Sequence, residues 1–172
     1  MAEDETRHFR ILCERLEELG VAFGDLPVHE GLWQSAGDTA DDLLSRLAIV
    51  HMVHEAHGLD VAPRTIARFR SSGDKVSADM VEHTIYPEEI THVTAGMRWF
   101  RFLCNHQDIK DPVAHFHSIV RERFHGALKP PFNTEARSAA GFTEEWYLPL
   151  AAPKPAPQKQ PQQQEEEQQE QQ

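Results

Sequence analysis

Apolar residues recur along this chain with a helical period, and no strand-like alternation stands out. Leu12, Leu16 and Leu19 make one stripe on a first helix running from about Glu3 to Leu19, with Gly20 as its stop. The run Phe23-Gly24-Asp25-Leu26-Pro27-Val28-His29-Glu30-Gly31-Leu32-Trp33 breaks the period and reads as an ordered loop. Leu44, Ala48, His51 and Glu55 share one face of a long helix from roughly Thr39 to His57. Asp38 or Thr39 caps it, Asp41 and Asp42 suit its first turn, and Gly58 ends it. Pro63 fits the first turn of a short helix ending near Ser71.

Asp74 begins another long helix, to about His106. Pro87 interrupts it, removing one backbone hydrogen bond, and should kink the rod or open a local bulge. Asp111 and Pro112 are the cap and first position of a helix ending at Gly126. Lys129-Pro130-Pro131-Phe132 is extended, and Asn133 caps a short helix to Ala140. From Pro153 onward the chain has no large apolar residue, so it has nothing to bury and is expected to be disordered. No internal repeat is visible. The pattern predicts an all-α fold in residues 1–152, followed by a Pro/Gln/Glu-rich tail over 153–172.

Composition narrows this picture. The chain has 172 residues, room for one domain and a tail. Its 2 cysteines, Cys13 and Cys104, make no disulfide framework, and no signal-peptide pattern follows Met1. Reduced thiols in the cytoplasm are the expected state. No apolar run approaches the roughly 18 residues of a membrane span. The net charge of −11 argues against non-specific binding to nucleic acid or anionic lipid, although part of that charge sits in the tail. Histidine is the outlier, with 11 in the chain, and rich histidine with rich acid suits a divalent metal site.

Glu-x-x-His on a helix places two ligands on one face, about 60° apart around the axis and about 4.5 Å along it. The pairs Glu5/His8, Glu89/His92 and Glu122/His125 fit that spacing. The stripe of the first helix, followed back from Leu19, arrives at His8 and Glu5. The stripe of the long helix, followed from Leu103 through Trp99 and Gly96, arrives at His92, Glu89 and Ile85. The middle helix puts Glu55 on its core face beside His51. Buried carboxylates are expensive unless paired or coordinated, so three such helices together point to metal. Purely structural pairings remain open: Glu5 solvated near the chain end, Glu89 with Arg98 or Arg101, and Glu55 with His51 one turn away. Glu122/His125 sits at a helix end beside Arg121, Arg123 and Gly126, and reads as surface charge.

The arrangement resembles the ferritin-like fold, in which two glutamates and two Glu-x-x-His motifs from four helices hold two metals. More closely, the chain is similar to the domain of unknown function 455 family within it. The residues that carry the likeness are Glu5-Thr6-Arg7-His8-Phe9, Phe23 through Trp33, Glu55-Ala56-His57-Gly58-Leu59-Asp60, Glu89-Ile90-Thr91-His92-Val93 and Lys129-Pro130-Pro131-Phe132-Asn133. The resemblance covers about Glu3 to Ala151. It implies a ferritin-like helical bundle with extra C-terminal helices. It implies that Glu5, His8, Glu55, Glu89 and His92 are metal ligands, with Glu5 and Glu89 bridging and His8 and His92 each on one metal. The metals implied are two irons, with manganese as the alternative.

The match begins at the family's second helix, so the chain resembles an amino-terminally shortened form lacking the first helix and its sixth ligand. That predicts weak metal binding by this chain alone, and self-association through the uncovered apolar face. The implied activity, in the full-length form, is an oxygen-activating oxidoreductase of unnamed substrate. The competing expectations are metal binding without turnover, and a helix-mediated interaction protein.

Overall fold

Side-chain caps open four helices of this protein. Its structure, a computed structural model, describes residues 1–151. Asp42 accepts from the Ser45 amide at 2.8 Å, Asp74 from that of Ser77 at 3.0 Å, and Asp111 from that of Ala114 at 2.9 Å. Asn133 accepts from the amide of Ala136 at 3.2 Å. Each bond satisfies a first-turn N–H that has no helical partner. The helices are α1 (Ala2–Glu18), α2 (Gly31–Asp38), α3 (43–71), α4 (75–106), α5 (Pro112–Arg123), α6 (Thr134–Ala139) and α7 (Glu144–Tyr147). The fold is all-α; among the described residues the only β pairing is an isolated bridge between Leu128 and Ala151. The expected disorder of residues 153–172 lies outside the described residues.

α3 and α4 form a hairpin that turns at Gly73, whose φ of +85 suits a residue without a side chain. Each carries a π-helical segment, Leu47–His54 in α3 and Val81–Ile85 in α4. The second precedes Pro87, which cannot donate to the helix, and is the expected local bulge. Leu44, Ile49 and Met52 of α3 pack against Val93, Met97 and Phe100 of α4. α5 and the segment after it close the far side. Phe100, Phe116 and Trp146 meet edge to face with ring centroids 5.5 to 6.0 Å apart. α1 lies antiparallel along α4, with Asp4 beside His92 and Arg15 beside Asp74.

Six sequence expectations need correction. Gly58 does not end the second long helix, and Pro63 does not open a new one: both lie inside α3. Pro63 has no N–H for the Leu59 carbonyl, and Asn133 Nδ2 fills that role at 3.1 Å. The cap of α3 is Asp42, while Asp38 and Thr39 finish α2, which takes up the end of the supposed loop from Gly31 onward. The α1 stripe is not core: Leu12 is 43% and Leu19 55% exposed, and α1 is held to α4 largely by ion pairs and hydrogen bonds. Trp99 points outward at 51% exposure, with Val93, Gly96, Met97, Phe100 and Cys104 forming the inward face instead.

Candidate metal centre

The α1–α4 contact is built from one motif used twice. α1 reads Asp4-Glu5-Thr6-Arg7-His8 and α4 reads Glu88-Glu89-Ile90-Thr91-His92. Because the helices run antiparallel, each histidine meets the acids of the other helix. His8 Nε2 lies 2.6 Å from Glu88 Oε2, and His92 Nε2 lies 3.1 Å from Asp4 Oδ2. The opposite ring nitrogens both turn inward. His8 Nδ1 is 3.7 Å from Glu5 Oε2 and 3.5 Å from Glu89 Oε1. His92 Nδ1 is 2.9 Å from Glu5 Oε1 and 3.6 Å from Glu89 Oε2. Glu5 and Glu89 therefore each offer one oxygen to either histidine, and the two rings are 5.9 Å apart.

Glu55 enters from α3. Its carboxylate gathers with those of Glu5 and Glu89 and with the His92 ring, one donor atom from each lying within 4.8 Å of the others. Four of the five residues anticipated from the sequence thus form one cluster, and His8 borders it through Glu5 and Glu89 at 3.7 and 3.5 Å. Glu55 and Glu89 lie against each other, which disfavours ionising both. Burial, followed by that contact and the neighbouring Glu55 and Glu5 charges, pushes the Glu89 carboxyl up to about 8. Burial likewise raises Glu55. The outer acids go the other way. The bond to His92 is the largest effect holding Asp4 far below the usual carboxylate range, and Arg7, then His8, lowers Glu88.

The alternatives left open by spacing are resolved in part. Arg98 lies over the Trp99 ring and Arg101 over Trp146, so neither neutralises Glu89. Glu55 meets Glu89 rather than His51. His51 sits in the π segment of α3, half-buried, and its Nδ1 has no hydrogen-bond partner. Its carbonyl lies 2.6 Å from where a Cβ on Gly96 would stand, so only glycine lets α3 and α4 approach this closely beside the site. Glu122 and His125 are on the surface, away from the centre, with side chains 70% and 79% exposed.

Asp4, Glu88 and Arg7 were not singled out from the sequence. Arg7 ties the two outer acids together, 3.1 Å from Asp4 Oδ1 and 2.6 Å from Glu88 Oε1. The signal for the acids was present: an acidic residue stands immediately before the glutamate in both working pairs, whereas Arg121 precedes Glu122 in the third.

The donor set is one that could hold a metal ion. His92 Nδ1 is buried without a hydrogen-bond partner, since its 2.9 Å approach to Glu5 is out of line for one. A carboxylate on the far nitrogen of each imidazole is the arrangement that fixes the tautomer of a ligating histidine and raises its basicity. Glu5, Glu55 and Glu89 together supply the anionic oxygens.

Residues 1–148 match the family described as protein of unknown function (DUF455). The chain belongs to the DUF455 family. It is also 33% identical over 144 residues to an uncharacterised protein of Haemophilus influenzae, a match covering 84% of this chain and 49% of that one. The chain therefore spans about half the length of that relative. No solved structure matches it. No helix among the described residues is long and apolar enough to cross a membrane.

Proposed function

We propose that this DUF455 chain carries a ferritin-like di-metal centre and serves an oxygen-activating oxidoreductase. The observation that carries the reading is the paired imidazoles, each with a carboxylate on Nε2 and a free Nδ1 facing two shared glutamates. The 34-residue step from Glu55 to Glu89 and the Glu-x-x-His motif on each of two antiparallel helices support the ferritin-like assignment. Imidazole and carboxylate donors suit iron, with manganese second. Glu5, His8, Glu55, Glu89 and His92 would hold the metals.

Bound there, iron supplies electrons and Lewis acidity for the reduction of dioxygen. The protein's own groups do the rest. Asp4 and Glu88 hold the imidazoles in the tautomer that leaves Nδ1 free. Glu89 or Glu55 stores one proton next to the centre and must release it when metal enters. Glu5, with its side chain 49% exposed, leaves one side of the centre open. That opening favours, as a second reading, metal binding without turnover.

Elemental analysis of protein isolated from its native host is the test, followed by anaerobic loading with ferrous iron and exposure to oxygen. Bound iron and an oxygen-dependent absorbance change are expected. Iron without the absorbance change would leave the second reading. Protein free of transition metal that also refuses iron in vitro would overturn both.

A further inference from the structure

Between α1 and the α3–α4 hairpin lies a groove of about 450 Å³, within the roughly 300–1,000 Å³ of small-molecule sites. Phe9, Leu12, Leu16, Phe23, Phe69 and Met80 supply most of its wall. The polar groups at its edge are already engaged: the Arg15 guanidinium donates to Asp74 at 2.8 Å and to the Ser77 hydroxyl at 3.0 Å. Nothing in the lining is left to bind a charged or hydrogen-bonding head group. Phe9, Leu12, Leu19 and Phe23 stay substantially exposed around this one hollow. Scattered apolar side chains need no explanation, but a contiguous apolar hollow of this size does.

The α1 wall of the groove, Phe9 to Leu19, covers ~15 Å at ~1.5 Å per residue, the length of an extended alkyl chain of roughly ten to twelve carbons. The groove adjoins a second hollow that Glu89 lines. Phe9 follows His8 in sequence, and Val81, which opens the π segment of α4, borders both this groove and the smaller hollow of about 200 Å³. Gly58, Ala62, Ile85, Tyr86 and Glu89 line that second hollow.

We propose that the groove holds an extended, uncharged aliphatic chain whose end passes Val81 toward Glu89, making such chains the substrate class of the centre. This rests on the metal reading above. Cys13 lines the groove while Cys104 is buried, so thiol chemistry reports on its occupancy.

The experiment uses the full chain and 1-decanol. In the metal-free protein, decanol should slow the reaction of Cys13 with Ellman's reagent saturably. The protection should vanish in Leu12→Trp, which fills the groove from a half-exposed position, and persist in Glu89→Gln. With Mn²⁺ bound, the proton resonances at one end of decanol should broaden, and Glu89→Gln should abolish the broadening. Absence of protection, protection that survives Leu12→Trp, or a Mn²⁺-loaded protein that protects Cys13 without broadening decanol would overturn the proposal. So would a dimer, seen by sedimentation, that Leu12→Trp converts to monomer, since the groove would then be covered by a second copy. Failure of Mn²⁺ to bind the wild-type chain is distinguishable from all of these: it overturns the metal reading and delivery to the centre, while Cys13 protection still decides whether an aliphatic chain occupies the groove.

Discussion

Replacing Glu89 by glutamine separates the cost of the centre in the metal-free protein from its use. The Glu89 side chain is only 15% exposed and faces Glu5, Glu55, His8 and His92. Its carboxyl is pushed from an ordinary 4.5 up to about 8, first by burial and then by the contact with Glu55. Folding therefore takes up a proton. The stability this contributes is complete below the unfolded value of 4.5 and is lost as pH rises through 8. At about 1.4 kcal/mol per unit, and with the shift shared between Glu55 and Glu89, the loss across that window is roughly 3 kcal/mol. Glutamine keeps the shape, can donate to Glu55 as a protonated acid can, and does not ionise. In EDTA, the melting temperature of wild type relative to Glu89→Gln should fall between pH 5 and pH 8 by about 6–12 °C, at 2–4 °C per kcal/mol for a domain of this size. Added Mn²⁺ should restore the wild type at pH 8 and leave the variant unmoved, because metal requires the deprotonated carboxylate. The assay is thermal melting followed by circular dichroism. A wild-type minus variant difference that is flat from pH 5 to pH 8 would refute the placement of a protonated carboxyl at this position.

Other expectations follow from single contacts. Asp4→Asn or Glu88→Gln removes no ligand but frees the imidazole behind it, and should weaken metal binding about 10–100-fold in chelator competition, with little change in metal-free melting. Asp60→Asn leaves the Arg137 charge buried after breaking their 2.5 Å pair, with side chains 5% and 3% exposed, and should cost about 3–5 kcal/mol in urea unfolding. Gly96→Ala drives a methyl into the His51 carbonyl; it should cost about 1–3 kcal/mol and also lower metal affinity, because the same turn carries His92. Asn133→Ala should cost about 1–3 kcal/mol by leaving the Leu59 carbonyl unsatisfied, and Pro63→Ala should recover part of it by restoring the missing N–H.

Local physics was readable in the sequence, and long-range compensation was not. Asp74, Asp111 and Asn133 cap the helices that they precede, since a cap needs only its own first turn. The bulge before Pro87 follows from one missing N–H. Gly58 and Pro63 misled because the repair of the Leu59 carbonyl comes from Asn133, 74 residues away along the chain. The stripe on α1 is real as a pattern, but a period says which residues share a face and not what covers it. Here salt bridges hold α1 while Leu12 and Leu19 border an open groove. Of the centre, spacing offered the two Glu-x-x-His pairs and Glu55 as candidates but left structural pairings open, and the family resemblance implied the five-residue set; the expected burial holds for Glu55 and Glu89 and not for Glu5, whose side chain is 49% exposed. The outer acids stayed hidden because exposed Asp and Glu are common on helices. They acquire meaning only once the antiparallel pairing sets Asp4 against His92 and Glu88 against His8.

The two π segments give that pairing its register. In α3, Leu47–His54 runs directly into Glu55; in α4, Val81–Ile85 ends one turn ahead of Glu89. A π turn inserts one residue per bulge into an α-helix, rotating everything beyond it, and weakens the helix it interrupts. In α3 the insertion brings the His51 carbonyl onto Gly96 and allows Glu55 to reach Glu89. In α4 it puts Val81 at the junction of the two hollows and leaves Glu88 and Glu89 facing α1. Stability alone would favour two regular helices with leucine at 55 and 89. This chain instead keeps two irregular helices, an oxygen-rich centre and a half-open docking helix. Each feature costs folding free energy, and all three meet at one point between α1, α3 and α4. Such a concentration of local expense is what a functional site produces and a merely structural core does not.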